Sequence, residues 1–271
     1  MVGVPDGRPI GIFDSGVGGL TVVRATLDLV PHESLLYVGD TARSPYGPRP
    51  LEEIRGFAVE IAGYLVGRGV KLLVVACNSI EVAAIEDVAR AGRVPVVGVI
   101  DPGMRAAARV SRSGRIGVIG TEATVASGAY ERAARRAGAG LTLVQQACPA
   151  FVDHVERGNT SSEELVEIAR GYLAALQDAG VDTLILGCTH YPMLSGLISY
   201  LMGPEVVLVS SAEETAKDVH SALLDLGLVC EPDAEPEHEF LCTGDPVRFR
   251  EVAEVFLGPE VVSVRATEVE V

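Results

Sequence analysis

The chain has 271 residues, 48% of them hydrophobic, which is enough to bury one large core or two modest ones. Its formal net charge of −15 argues against direct binding of nucleic acid, which requires a basic surface. The apolar runs fall well short of the ~20 residues that cross a bilayer, and only Arg8 precedes the first of them, so we expect neither a membrane span nor a secretory signal. Five cysteines, an odd number, then favour a reduced, cytoplasmic protein over a disulfide framework.

The basic residues exclude a further class of function. Arg132, Arg135 and Arg136 form a small cluster that we interpret as the solvated face of a helix. The chain has only two lysines: Lys71 opens an apolar strand and Lys217 lies in a helical pattern. Neither is a candidate for the Schiff base of a pyridoxal phosphate enzyme, so we predict an activity without that cofactor.

Short apolar runs alternate with helical patterns along the chain, which is typical of βαβ units and a parallel sheet. Helices are predicted over 51–67 and 162–179. The first eight predicted strands are residues 9–13, 35–38, 71–76, 96–100, 115–119, 141–145, 183–186 and 206–209. The sequence therefore predicts an α/β protein.

The last forty residues follow the same pattern after an interruption. The acidic, proline-bearing stretch CEPDAEPEHE (230–239) predicts a surface loop. A strand at 240–243, a helix from Pro246 and a last strand at 261–265 are predicted after it.

Two segments of the first half recur in the second half. GVKLLVVACNS (69–79) aligns without a gap on GVDTLILGCTH (180–190), and GIFDS (11–15) matches GVIGT (117–121) in the same order. We interpret the chain as two related α/β units. Ligands bind outside the carboxyl ends of parallel strands, so if the units face each other, Cys77 and Cys188 point into one cleft.

The stretch FDSGVGGLTVV (13–23) turns from a strand through glycines into a helix. Such a turn forms either an anion site at a helix N-terminus or a plain tight turn, and it lacks both the Walker A and the GxGxxG spacing. Asp14 and Ser15 are either caps of the helix or functional groups, and the local sequence leaves both interpretations open.

Cys77 and Cys188 each lie between a strand and a helix, where the helix dipole is expected to lower a thiol pKa from about 8.5. A single cysteine here is more often a small buried apolar residue, but two in equivalent positions favour chemistry. Two thiols about 7 Å apart on either side of one carbon, one as thiolate and one as thiol, can invert its configuration. Zinc is disfavoured because no CxxC pair is present, and His190 is interpreted as a proton partner of Cys188 or as a structural histidine.

Five motifs, in order and spacing, resemble the glutamate racemase family from about Gly11 to Ala266: DSGVGG, YVGDTARSPYG, ACNS, CPAFVDHVERG and LGCTHYP. The resemblance implies interconversion of L- and D-glutamate without a cofactor, for bacterial peptidoglycan, by a two-base mechanism. It implies two pseudo-symmetric α/β domains with mainly parallel sheets, residues 1–100 plus 211–271 and residues 101–210, and an active site in the cleft between them. A homodimer is expected, with neither a metal nor a membrane as partner.

The family roles carry over by position. Cys77 and Cys188 are the proton donor and acceptor pair, Asp14 assists Cys77, and Glu156 and His190 assist Cys188. The substrate-binding positions that the resemblance implies are Asp14, Ser15, Pro45, Tyr46, Gly47, Asn78, Ser79, Thr121, Thr124, Thr189 and His190.

One stretch departs from the family pattern, because Ile80, Glu81 and Val82 add bulk and a charge just after Cys77. We expect the Glu81 anion to raise the pKa of Cys77. Two alternatives stay open: a related racemase for aspartate or another acidic substrate, and a catalytically weak member that binds a protein such as DNA gyrase.

Overall fold

Two parallel β-sheets organise the protein, in a computed structural model that describes residues 5–257 and 264–266. The first sheet has the strand order β10-β9-β2-β1-β3-β4 and the second has the order β6-β5-β7-β8. The strands are β1 Ile10–Asp14, β2 Leu35–Gly39, β3 Leu72–Val75, β4 Val96–Val97, β5 Arg115–Gly120, β6 Thr142–Ala147, β7 Thr183–Gly187, β8 Val207–Ser210, β9 His238–Cys242 and β10 Val264–Ala266.

Helices connect successive strands, as parallel pairing requires. Ser162 and Ser210 begin two of them by accepting a backbone N–H with their hydroxyl oxygens. The helices are α1 Leu20–Leu29, α2 Leu51–Gly67, α3 Asn78–Gly92, α4 Ile100–Val110, α5 Glu122–Ala126, α6 Ala129–Ala137, α7 Ala150–Glu156, α8 Glu163–Asp178, α9 Ser195–Met202, α10 Ser211–Leu226 and α11 Pro246–Leu257, with a 3₁₀ turn at Tyr191–Leu194.

The two sheets repeat one topology. The order β2-β1-β3-β4 in the first sheet recurs as β6-β5-β7-β8 in the second. The matched sequences make β1 equivalent to β5 and β3 equivalent to β7 in this repeat. All four are central strands that are buried on both faces. Burial on both faces explains why they read as continuous apolar runs. The predicted α/β class and the two related units agree with the structure.

A shared apolar core joins the sheets. One cluster contains Ile12 of β1, Met104 of α4, and Ile185 and Val209 of the second sheet. Two further clusters cover the outer faces, one under α2 and α3 and the other under α7, α8 and α9. The halves are therefore packed against each other and not simply tethered.

Two predicted boundaries need correction. The strand predicted at 96–100 ends at Val97, and α4 begins at Ile100 because a carboxylate of α3 accepts the N–H groups at its start. The strand predicted at 240–243 is β9, His238–Cys242, so it begins inside the predicted loop by pairing with β2. Of the last predicted strand, 261–265, residues 261–263 lie outside the described residues.

No helix in the described ranges is long and apolar enough to cross a bilayer.

The first of the two lysines forms a buried ion pair. The side chains of Lys71 and Glu33 are 0% and 3% exposed, and the ammonium group donates to the carboxylate and to the carbonyl of Asp6. Glu33 also accepts the N–H of Cys230 at 2.9 Å. The pair connects β3 to the segments before β2 and before β9.

We predict that Lys71→Met lowers the free energy of unfolding by about 3–5 kcal/mol, because it leaves the Glu33 carboxylate buried without its cation. Urea unfolding followed by circular dichroism measures the change. The control is Lys217→Met, which removes a lysine side chain that is 59% exposed and pairs with Glu214, and should cost about 1 kcal/mol or less. Equal stability of the two variants would contradict the prediction.

Candidate active site

A cavity of about 280 Å³ lies where the carboxyl ends of the two sheets meet. The predicted site residues Asp14, Thr124 and Glu156 are not part of its wall, but each forms a hydrogen bond with a residue of the wall. The other predicted site residues line the wall itself. These are Ser15, Pro45, Tyr46, Gly47, Cys77, Asn78, Ser79, Thr121, Cys188, Thr189 and His190. The structure thus brings the two cysteines into one cavity.

The wall also contains residues that the sequence interpretation missed. They are Ser44, Pro48, Glu122, Pro149, Ala150, Val152 and Asp153. All but Glu122 lie within or next to a stretch quoted for the family resemblance, which was the signal available in the sequence. Glu122 directly follows Thr121, which was itself a predicted binding position. Among the described residues, no three His, Cys, Asp or Glu side chains converge as metal ligands would.

Cys77 lies two residues after the end of β3 and directly precedes α3. Its Sγ–H donates to the Ser15 hydroxyl at 3.6 Å. Burial, followed by the charge of Asp14, raises the pKa of Cys77 to about 12, against a smaller lowering by the Ile80 N–H. The lowering expected from the helix dipole is therefore wrong for Cys77, because loss of solvation outweighs it. Near neutral pH this sulfur carries its proton.

Cys188 follows β7 and lies beside a charged imidazole. His190 Nδ1 is 3.8 Å from the Cys188 Sγ, and its Nε2 is 3.2 Å from Glu156 Oε1. Burial by itself would lower the pKa of His190, but its contacts with Cys188 and Glu156, together with the charge of Asp14, raise that pKa to about 10. His190 is an imidazolium near neutral pH, which favours the interpretation as a proton partner over a purely structural role.

Asp14 connects the glycine turn to the second half. One carboxylate oxygen accepts the N–H of Gly16 at 2.8 Å, and the other accepts the Thr189 hydroxyl at 3.2 Å. Burial raises the pKa of Asp14, and the charge of His190 opposes that rise. α1 begins at Leu20 after Gly19, which has no side chain to cap it, so Asp14 orders the turn and also reaches the site.

The glycines of this turn are required by close packing. A Cβ at Gly18 would collide with the Thr189 hydroxyl and the His190 ring. A Cβ at Gly19 would lie 2.5 Å from the Cβ of Asp14. Only glycine allows the loop after β1 to touch the segment after β7.

Hydroxyl groups bridge the cavity on its other side. Ser79 Oγ lies 2.9 Å from Thr121 Oγ1, which donates to Thr124 Oγ1 at 3.0 Å. Tyr46, in contrast, donates its hydroxyl to the Asp40 carboxylate, so its ring and backbone line the cavity while its hydroxyl is already bonded.

The expected effect of Glu81 on Cys77 is wrong. The Glu81 carboxylate turns toward α4, where one oxygen accepts the N–H groups of Val99 and Ile100. Burial raises the pKa of Glu81 to about 7 despite these hydrogen bonds. The raised pKa of Cys77 comes instead from its own burial and from Asp14. Glu81 caps the helix that enters the second sheet.

Comparison with known proteins agrees with this geometry. The family described as Asp/Glu/Hydantoin racemase matches residues 20–219, and the chain belongs to this family of isomerases. Its relatives include glutamate racemase from Parafrankia sp., 58% identical over 259 residues that cover 95% of this chain and 94% of the relative.

Solved structures extend the likeness to the fold. Glutamate racemase from Bacillus anthracis is 40% identical with a TM-score of 0.92, covering 96% of this chain and 97% of that one. Glutamate racemase from Francisella tularensis, in complex with D-glutamate, is 33% identical with a TM-score of 0.91, covering 98% and 99%.

We predict that His190 titrates near pH 10. Since its pKa in the folded state lies above the usual 6.5, protonated His190 stabilises the fold fully below about pH 6.5, and this stabilisation is lost as the pH rises through about 10. NMR titration of labelled histidine measures the pKa directly. Glu156→Gln should lower it, because the imidazolium loses its partner.

The control for this titration is Glu164→Gln, which alters an exposed carboxylate near the start of α8 and should leave the His190 titration unchanged. A wild-type His190 that titrates near 6.5 would contradict the prediction.

Proposed function

We propose that this enzyme interconverts L- and D-glutamate by proton transfer at Cα between Cys77 and Cys188. The observation that carries the proposal is the meeting of two thiols, from equivalent strand ends of repeated units, in one cavity. The identity to glutamate racemases supports the substrate, as does the relative solved with D-glutamate.

The charges around the two thiols suggest which sulfur carries a proton before the substrate binds. Cys77 holds its proton because of its raised pKa, so it serves as the donor. Cys188, next to the His190 imidazolium, then removes the proton from Cα while the electron pair spreads into the α-carboxylate. Proton delivery from Cys77 to the opposite face completes the inversion and leaves Cys77 as thiolate. The reverse reaction exchanges the two roles.

The remaining groups are proposed to hold the substrate carboxylates. The first N–H groups of α3, at Asn78 and Ser79, lie at the positive end of its dipole. Thr121 and Thr189 line the same cavity, and each hydroxyl becomes a donor to the substrate when its proton turns away from its present acceptor, Thr124 Oγ1 or Asp14 Oδ2. Preorganised donors of this kind stabilise the negative charge that develops when Cα loses its proton.

We further propose a domain division at residues 1–100 plus 211–271 and at 101–210. The strands of the six-stranded sheet fall in the first set and those of the four-stranded sheet in the second, which supports it. A cytoplasmic homodimer that supplies D-glutamate for peptidoglycan stays a prediction.

Cys77→Ala and Cys188→Ala should each abolish racemisation, because each variant lacks one of the two bases. Circular dichroism of L-glutamate without added cofactor follows turnover, and mass spectrometry in D₂O follows entry of deuterium at Cα. Retention of the original hydrogen would contradict the two-base scheme. Activity on aspartate but not glutamate would move the enzyme to the alternative substrate.

The three remaining cysteines supply matched controls. Cys148, Cys230 and Cys242 are buried free thiols that are absent from the cavity wall. Replacement of each by alanine should leave racemisation nearly intact.

A further inference from the structure

The side-chain amide of Asn78 has one unpartnered end. Asn78 directly follows Cys77, lines the cavity and is 2% exposed. Its Nδ2 lies 3.0 Å from the Tyr130 hydroxyl, whereas its Oδ1 is buried without a hydrogen-bond partner in the described part of the chain. A buried acceptor without a partner costs free energy, so it requires an explanation.

Tyr130 reaches Asn78 from the other half of the molecule. It lies on α6, is 0% exposed, and its hydroxyl oxygen would be 3.2 Å from a Cβ at Gly187. Gly187 directly precedes Cys188. The hydroxyl therefore lies between the two strand ends that carry the thiols.

The phenol retains its proton. Burial, together with the charges of Glu81 and Cys188, raises the pKa of Tyr130 well above its usual range. A neutral phenol has one proton to donate and its oxygen can also accept. When Asn78 donates to Tyr130, this proton has no acceptor among the described residues and the amide oxygen is also unsatisfied.

Rotation of the amide by 180° satisfies the Tyr130 proton and the amide oxygen together, and it leaves the NH₂ group, in place of the oxygen, without a partner. The two orientations fill the same space, because an amide oxygen and NH₂ group have nearly the same shape. In the rotated state the Tyr130 hydroxyl donates to Oδ1, and the NH₂ group occupies the end that lacked a partner. That end then carries donors that suit a carboxylate.

We propose that Tyr130 is a positioning residue for substrate binding, which fixes the Asn78 amide so that its NH₂ group donates to a substrate carboxylate. The inference rests on the proposed function, since glutamate supplies the carboxylate. It assigns the second half of the chain a part in aligning a binding group of the first half.

Tyr130→Phe keeps the ring and removes the hydroxyl. We expect KM for glutamate to rise about tenfold, the loss of one hydrogen bond to a charged group, with kcat changed less than about twofold. In an Asn78→Ala background the same substitution should change KM no further, because Tyr130 acts only through the amide. If Tyr130 had a merely structural role, Tyr130→Phe would raise KM by the same factor with and without the Asn78→Ala substitution.

Tyr172→Phe is the matched control. Its hydroxyl accepts the Ala150 N–H at 3.5 Å and makes no contact with Asn78. Tyr172→Phe should leave KM unchanged both in the wild type and in the Asn78→Ala background.

Calorimetric binding of D-glutamate to each variant accompanies the kinetics. An active wild type with unchanged KM and Kd in Tyr130→Phe would overturn this inference alone. An equal rise in KM in the Asn78→Ala background would do the same. A wild type that neither turns over nor binds glutamate would overturn the proposed function as well.

Discussion

The contact between the loop after β1 and the segment after β7 sets the geometry of the site. Gly18 has room for no side chain against Thr189 and His190, and the Asp14 carboxylate accepts the Thr189 hydroxyl across the same junction. Each half alone presents a strand end with a thiol. Only their close approach gives the thiols one cavity and brings the Asp14 charge near both Cys77 and His190.

This junction makes a symmetric fold electrostatically asymmetric. β3 and β7 occupy equivalent places in sheets of the same order, yet Cys77 lies near a carboxylate and Cys188 near an imidazolium. A reaction that moves a proton from one face of Cα to the other requires two bases in different protonation states. The asymmetry of the neighbours supports such a difference, while the repeat supplies two equivalent positions.

Much of the fold could be predicted from the sequence because its signals are local. Central strands buried on both faces produce uninterrupted apolar runs, and the two alignments exposed the repeat. The pairing of Cys77 with Cys188 followed from that repeat, and most predicted site residues do line the cavity.

The errors concern quantities that depend on partners distant in sequence. The pKa of Cys77 depends on how completely the fold removes water, which no local pattern records. Glu81 was assigned to the thiol because they are neighbours in sequence, but its carboxylate bonds Val99 and Ile100 and thereby ends β4 early.

The protonated state of Cys77 has a consequence for inhibitor design. Alkylating agents and peroxides react with thiolates, so a buried thiol with a pKa of about 12 is a poor target for a small electrophile in the empty enzyme. A covalent inhibitor directed at Cys77 gains little from intrinsic reactivity and must first bind tightly in the cavity. The burial that keeps this sulfur protonated also protects it from oxidative damage.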